Sequence, residues 1–147
     1  MRDGWVFIIA FAAGVGIPIM AALNGGLGTR LGNPVIAAAV LTLVAFLTVM
    51  IILTVTGSFS SSAQWPAPAL HYTAGLFASV YFVSITFAAP RIGVGNAIVM
   101  VLVGQVICAA IIDHFGLLGV PRAPIDVSRA AGVLFVVVGV FLARRTS

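Results

Sequence analysis

Four stretches of this chain are long, apolar and free of arginine and aspartate: Gly4–Leu23, Pro34–Thr56, His71–Ala89 and Ile92–Ile112. A helix needs about 20 such residues to cross the ~30 Å hydrocarbon core of a bilayer. Backbone polar groups have no water to bond there, so such segments become helices that satisfy their own N–H and C=O groups. A fifth run, 129–143, is shorter. At ~1.5 Å per residue its apolar part, from Ala130, covers about two thirds of the core. Its flanking arginines, Arg129, Arg144 and Arg145, can snorkel outward to make up part of the difference. A re-entrant segment is the competing reading. The expectation is an all-α integral membrane protein with five transmembrane helices in one domain, residues 1–147, with spans at 4–23, 34–56, 71–89, 92–112 and 129–143.

Composition agrees. Hydrophobic residues make up 62% of the chain and charged residues 7%, against about 25% charged in soluble domains. The charges are arginine and aspartate alone. Apart from the adjacent Arg144 and Arg145, the arginines stand singly between apolar runs, as headgroup anchors do, and they form no patch of the kind that binds nucleic acid. Met1-Arg2 followed by an apolar run resembles a signal peptide weakly, but the run reads as a first transmembrane helix. Cys108 sits inside an apolar run and reads as a packing residue. No spacing for a metal site, nucleophile–base set or phosphate loop is present, so neither an enzyme nor a cofactor is expected.

The connections are short. "NGGLGTRLGN", Asn24 to Asn33, is glycine-rich and is expected to be a turn or a short interfacial piece. Gly57–Leu70 carries Trp65, suited to the interface. Pro90 and Arg91 are expected to mark a tight turn. In the last loop Pro121 and Pro124 stiffen the chain, and Asp126 or Ser128 can cap the last helix.

Five spans put Arg2, Arg122 and Arg129 on one side of the membrane and Arg30, Arg91, Arg144 and Arg145 on the other. Orientation follows an excess of positive charge inside, and here the two sides are nearly balanced. Either a partner imposes orientation, or the chain inserts both ways and two copies pack antiparallel. Inverted pairs of this kind are a common transporter architecture.

Polar side chains at membrane depth face other helices or a wet cavity. Gln105 is the strongest candidate, because its amide carries two donors and two acceptor lone pairs that its own helix cannot use. Tyr81, Thr42, Ser84 and Asn24 are further candidates for contact with a substrate; interhelical hydrogen bonding is the alternative role for each. No carboxylate lies near the middle of any span, which favours a neutral or anionic substrate over a cationic one. Pro18 removes a helix hydrogen bond to Gly14 and crowds its carbonyl, so Gly14 to Pro18 is a candidate hinge. Small residues at i, i+4, Ala10/Gly14 and Gly139/Ala143, allow close helix approach.

The segment "GQVICAAIIDHFG" ends in Asp113 and His114. A helix dipole disfavours a carboxylate at its C-terminus, so Asp113 needs a cation: Arg122, Arg129 or an arginine of a neighbouring chain. Gly116 then ends the helix in left-handed conformation. The alternative is that Asp113 and His114 form a proton-sensitive gate, histidine being the side chain that titrates near neutrality.

These residues resemble a known pattern. Pro90, Arg91 and Gly93, then Gly104-Gln105, then Asp113-His114-Phe115-Gly116, then Pro121, Arg129 and Gly132, with Pro18, Asn24, Gly32 and Pro34 matching more loosely, look like the YdcZ-like family of small inner-membrane proteins in the drug/metabolite transporter superfamily. The resemblance implies a five-helix half of an inverted-repeat transporter in the bacterial inner membrane. It also implies pairing as a homodimer or with a related chain. The family usually has glutamine two residues after the first-helix proline, where this chain has Met20, and Leu41, Thr42 and Ala45 stand where it often has Ser-Phe and then Gly. A partner chain is expected to supply the missing polar groups. The function expected is a half-size secondary transporter for a small neutral or anionic metabolite or drug, working by alternating access as an antiparallel dimer. The rival is a non-transporting membrane scaffold.

Overall fold

The computed structural model describes residues 4–58 and 67–143. Every long element is a helix: α1 Gly4–Arg30, α2 Pro34–Val55, α3 Ala69–Tyr72, α4 Ala74–Ile92, α5 Val94–Phe115 and α6 Val127–Ala143, with a short 3₁₀ turn at Leu117–Gly119. Four helical stretches are long and apolar enough to cross a membrane, Gly4–Arg30, Pro34–Val55, Ala69–Ile92 and Val94–Phe115. α6, with 17 residues, is the shorter apolar helix. Trp65, Arg2, Arg144 and Arg145, given interfacial roles above, lie outside the described residues. The chain divides into two compact units, Met1–Val94 and Gly95–Ser147.

In the first unit α1, α2 and α4 pack on one another. Two expected turns are helix instead. The segment Asn24–Asn33 is helical as far as Arg30. Its glycines have poor intrinsic helix propensity, but in this bundle they permit packing. Ala21, Asn24, Gly25 and Gly28 fall at i, i+3, i+4 and i+7 and are all buried, so they form one face of the helix. A Cβ on Gly28 would stand 3.0 Å from Thr86 Cγ2, and one on Gly25 3.2 Å from Pro90 Cδ. The close-approach face is thus Ala21–Gly28. Gly14 and Gly139, at the spacings picked out above, have open space around them.

The true turn is Leu31–Asn33, and its chemistry is compact. Asn33 N–H donates to Gly28 O (3.1 Å) and Gly32 N–H to Thr29 O (3.3 Å), the paired bonds of a Schellman stop. Gly32 takes φ +65°, a conformation that costs other residues. Asn33 Oδ1 then accepts from the N–H groups of Val35 (2.9 Å) and Ile36 (3.3 Å), capping α2 with Pro34 at its first turn.

Pro90 and Arg91 form the last turn of α4, and the break comes at Gly93, with φ +84°. The turn is held by Arg91, whose Nη1 donates to Phe87 O (2.6 Å) and whose guanidinium lies 3.5 Å from the centre of the Phe87 ring. α1 runs through Pro18 without a break in its assignment.

In the second unit α5 extends past Ile112 to Phe115, so Asp113 and His114 belong to its last turn. Gly116 follows with φ +64°. α6 starts at Val127, and Asp126 Oδ1 accepts from Arg129 N–H (2.7 Å).

Candidate functional site

The buried residues of the first unit gather at one end. They are Ala21, Asn24, Gly25 and Gly28 late in α1, Ala37 and Ala38 early in α2, and Ile85, Thr86 and Ala89 late in α4. α1 and α4 end where α2 begins, so this end lies toward one membrane face. At its centre Asn24 Nδ2 donates to Thr86 Oγ1 (2.5 Å), and Thr86 Oγ1 donates to Phe82 O (2.6 Å). Asn24 is 5% exposed and Thr86 1%. Asn24 was expected to contact substrate, and here its amide donates across the helix interface. Threonine can bond to its own helix; Thr86 does so through its O–H, and its oxygen still accepts from Asn24.

Grooves between the helices run from this end toward the middle of the spans. Between α2 and α4 a groove of about 530 Å³ is lined by Ala38, Thr42, Leu43, Phe46, Ser79 and Val83. Its hydroxyls are satisfied internally, Thr42 by Ala38 O (2.9 Å) and Ser79 by Gly75 O (2.9 Å), leaving lone pairs as acceptors. Between α1 and α2 a second groove, about 420 Å³, is lined by Gly16, Met20, Asn24, Leu27, Leu41 and Val44. Met20 and Leu41, two of the departures from the family pattern, therefore face one cavity. Tyr81 packs against Phe82 with ring centres 5.8 Å apart, and its hydroxyl is buried without a partner. Ser84 is exposed on α4, and Gly14 on α1.

In the second unit Gln105 and Cys108 are exposed on α5. Asp113 and His114 are tied into the α5–α6 loop. Arg129 Nη2 pairs with Asp113 Oδ2, and Arg129 Nη1 donates to Ala123 O (3.1 Å). Ala123 N–H returns to Asp113 O (2.8 Å). His114 Nδ1 accepts from Ile125 N–H (3.1 Å), and Arg122 Nε donates to His114 O (3.1 Å). Asp113 at a helix C-terminus is thus compensated by Arg129, and the loop is stitched to the last turn of α5 at both residues of the pair.

A family model described as "Putative inner membrane exporter, YdcZ" matches residues 5–142. The chain belongs to the YdcZ family. As a YdcZ protein it is a multi-pass inner-membrane protein, and the family's description is that of a transporter and not of an enzyme. No curated protein and no solved structure matches this YdcZ chain.

Proposed function

We propose that this YdcZ chain is half of a secondary transporter and moves a small neutral or anionic metabolite or drug by alternating access. The observation that carries the reading is the asymmetry of the first unit. α1, α2 and α4 pack closely at one end through residues as small as Ala21, Gly25, Gly28, Ala37 and Ala89, and grooves edged by Asn24, Thr42 and Ser79 lead from it toward the other end, where no described residue of these helices is buried. A half-transporter held in one access state needs one closed and one open end. Lipid and cargo share the grooves with a partner, either a second copy or a related chain in inverted orientation, the whole forming one drug/metabolite transporter fold. Gln105, Tyr81 and Ser84 supply further contacts, Gly14 to Pro18 flexes, and the Asp113–His114 latch couples the last loop to the cycle.

Orientation tests the antiparallel arrangement. Single cysteines at Ser58 and Gly119, in a Cys108→Ala background, are labelled from outside intact cells. Partial labelling at each site supports a dual-orientation homodimer. All-or-none labelling moves the search to an oppositely inserted partner chain. All-or-none labelling in a chain that is monomeric when purified alone and with its genomic neighbours rejects the half-transporter.

The scaffold reading has one observation in its favour: Asn24 is consumed by Thr86 in a dry contact, as interhelical glue would be.

A further inference from the structure

At the sealed end of the first unit a third cavity, about 320 Å³, opens between the end of α1, the start of α2 and the end of α4. Gly28, Thr29, Gly32, Pro34, Pro90 and Arg91 line it. Its volume falls at the lower limit of small-molecule sites, about 300–1,000 Å³. Thr86 lines it as well, and Gly32 adds no side chain. Among the described residues one cation reaches it and no carboxylate does.

That cation is held in place. Arg91 spends Nη1 on the Phe87 carbonyl and lays its plane on the Phe87 ring. Among the described residues no acceptor for its Nε and Nη2 donors and no carboxylate paired with it is found. By contrast Arg129 is committed to Asp113 and Ala123, and Arg122 to His114. A pre-oriented guanidinium with free donors matches a phosphate or carboxylate edge. The α2 N-terminus brings a positive dipole end and the α1 and α4 C-termini bring negative ones, so the attraction for an anion rests on Arg91 itself. The location is where helices end, at headgroup depth.

We propose that this crevice is an anion site for a glycerol phosphate ester, with Arg91 as its charge contact. The ester is either the headgroup of an anionic phospholipid or a soluble glycerol phosphate. The site is independent of the transport reading.

The test uses the full chain in neutral detergent, titrated with phosphatidylglycerol, with phosphatidylcholine, and separately with sn-glycerol 3-phosphate. Binding of phosphatidylglycerol in preference to phosphatidylcholine is expected. Arg91→Gln weakens it on the order of tenfold or more, the cost of a lost charge-assisted hydrogen bond. Arg91→Lys falls between. Arg30→Gln, which removes the same charge from the same helix ends outside the crevice, leaves it unchanged. Glycerol 3-phosphate binding with the same Arg91 dependence assigns the site to soluble esters as well; its absence assigns the site to lipid. Equal losses in Arg30→Gln and Arg91→Gln overturn the proposal, as does wild-type binding in Arg91→Gln or no preferential binding at all. Should Arg91→Gln fail to fold, Thr29→Leu fills the crevice from an exposed position; wild-type binding there is equally fatal.

Discussion

Asn24 and Thr86, on α1 and α4, share one hydrogen bond in the driest part of the first unit, and Thr86 Oγ1 donates in turn to Phe82 O. In hydrocarbon such a bond contributes about 0.6–2 kcal/mol, because the separated helices find other partners. Asn24→Leu and Thr86→Val are each expected to destabilise the protein. Their double mutant should lose less than the sum, with a coupling in that range. Unfolding in mixed detergent micelles measures the cycle. Zero coupling would mean that the bond contributes nothing and that packing alone holds the pair.

The same threonine limits its other neighbour. Thr86 Cγ2 stands 3.0 Å from where a Cβ on Gly28 would lie, and both its bonds resist movement. Gly28→Ala is therefore expected to cost about 1–3 kcal/mol by overpacking. Thr86→Ser removes the obstructing methyl and keeps the hydroxyl, so it should relieve the cost. Gly14→Ala has open space and should stay within about 0.5 kcal/mol of the parent. Thermal melts of Gly28→Ala, Thr86→Ser, their double mutant and Gly14→Ala in one detergent decide this.

How far the fold could be read from sequence differs by position. The apolar spans were legible because lipid imposes a length and a composition on them. The stretch Asn24–Arg30 was misread because glycine has two opposite uses. In water it breaks helices, whereas between membrane helices it lets backbones approach. The deciding signal was the four-residue face Ala21, Asn24, Gly25, Gly28, which the glycines of the supposed loop concealed. Pro90 misled in the same way, since the arginine beside it holds the final turn. At Asp113 the helix dipole demands a cation, and Arg129 is there. Which of three arginines would answer depended on the path of a loop, which spacing does not give. The substrate contacts were the least legible part. A polar side chain in a span carries the same letter whether it bonds a neighbouring helix, as Asn24 does, or only its own helix at the edge of a groove, as Thr42 does.

The Asp113–Arg129 pair is 29% and 37% exposed, so its loss should change global stability by less than about 1 kcal/mol. Its local effect is larger, because Arg129 also holds Ala123 O, and Asp113 O holds Ala123 N–H. Asp113→Asn and Arg129→Gln are each expected to speed proteolysis within residues 117–126 while leaving the melting temperature nearly unchanged. Arg129→Lys keeps the charge but loses the two-handed grip, and should be intermediate. Equal cleavage rates in all variants would show that the remaining bonds, His114 to Ile125 and Arg122, suffice.

Whether the grooves hold water separates a transporter from a scaffold, and thiol chemistry reports it. Thiols react as thiolates, which hydrocarbon disfavours, so a lipid-filled groove protects a cysteine as well as burial does. Three single cysteines in a Cys108→Ala background make the comparison: Thr42→Cys in the α2–α4 groove, Gly16→Cys in the α1–α2 groove and Ala37→Cys at the sealed end, where the native residue is 0% exposed. With a membrane-impermeant maleimide applied to both sides, the alternating-access reading expects the two groove sites to label and Ala37→Cys to stay protected. Substrate, once found, should slow the groove sites. If all three remain unlabelled in intact membranes yet react in detergent, the grooves are filled by lipid or by protein. The chain would then be acting as a packed subunit, and Thr42 and Ser79 would serve only their own helices.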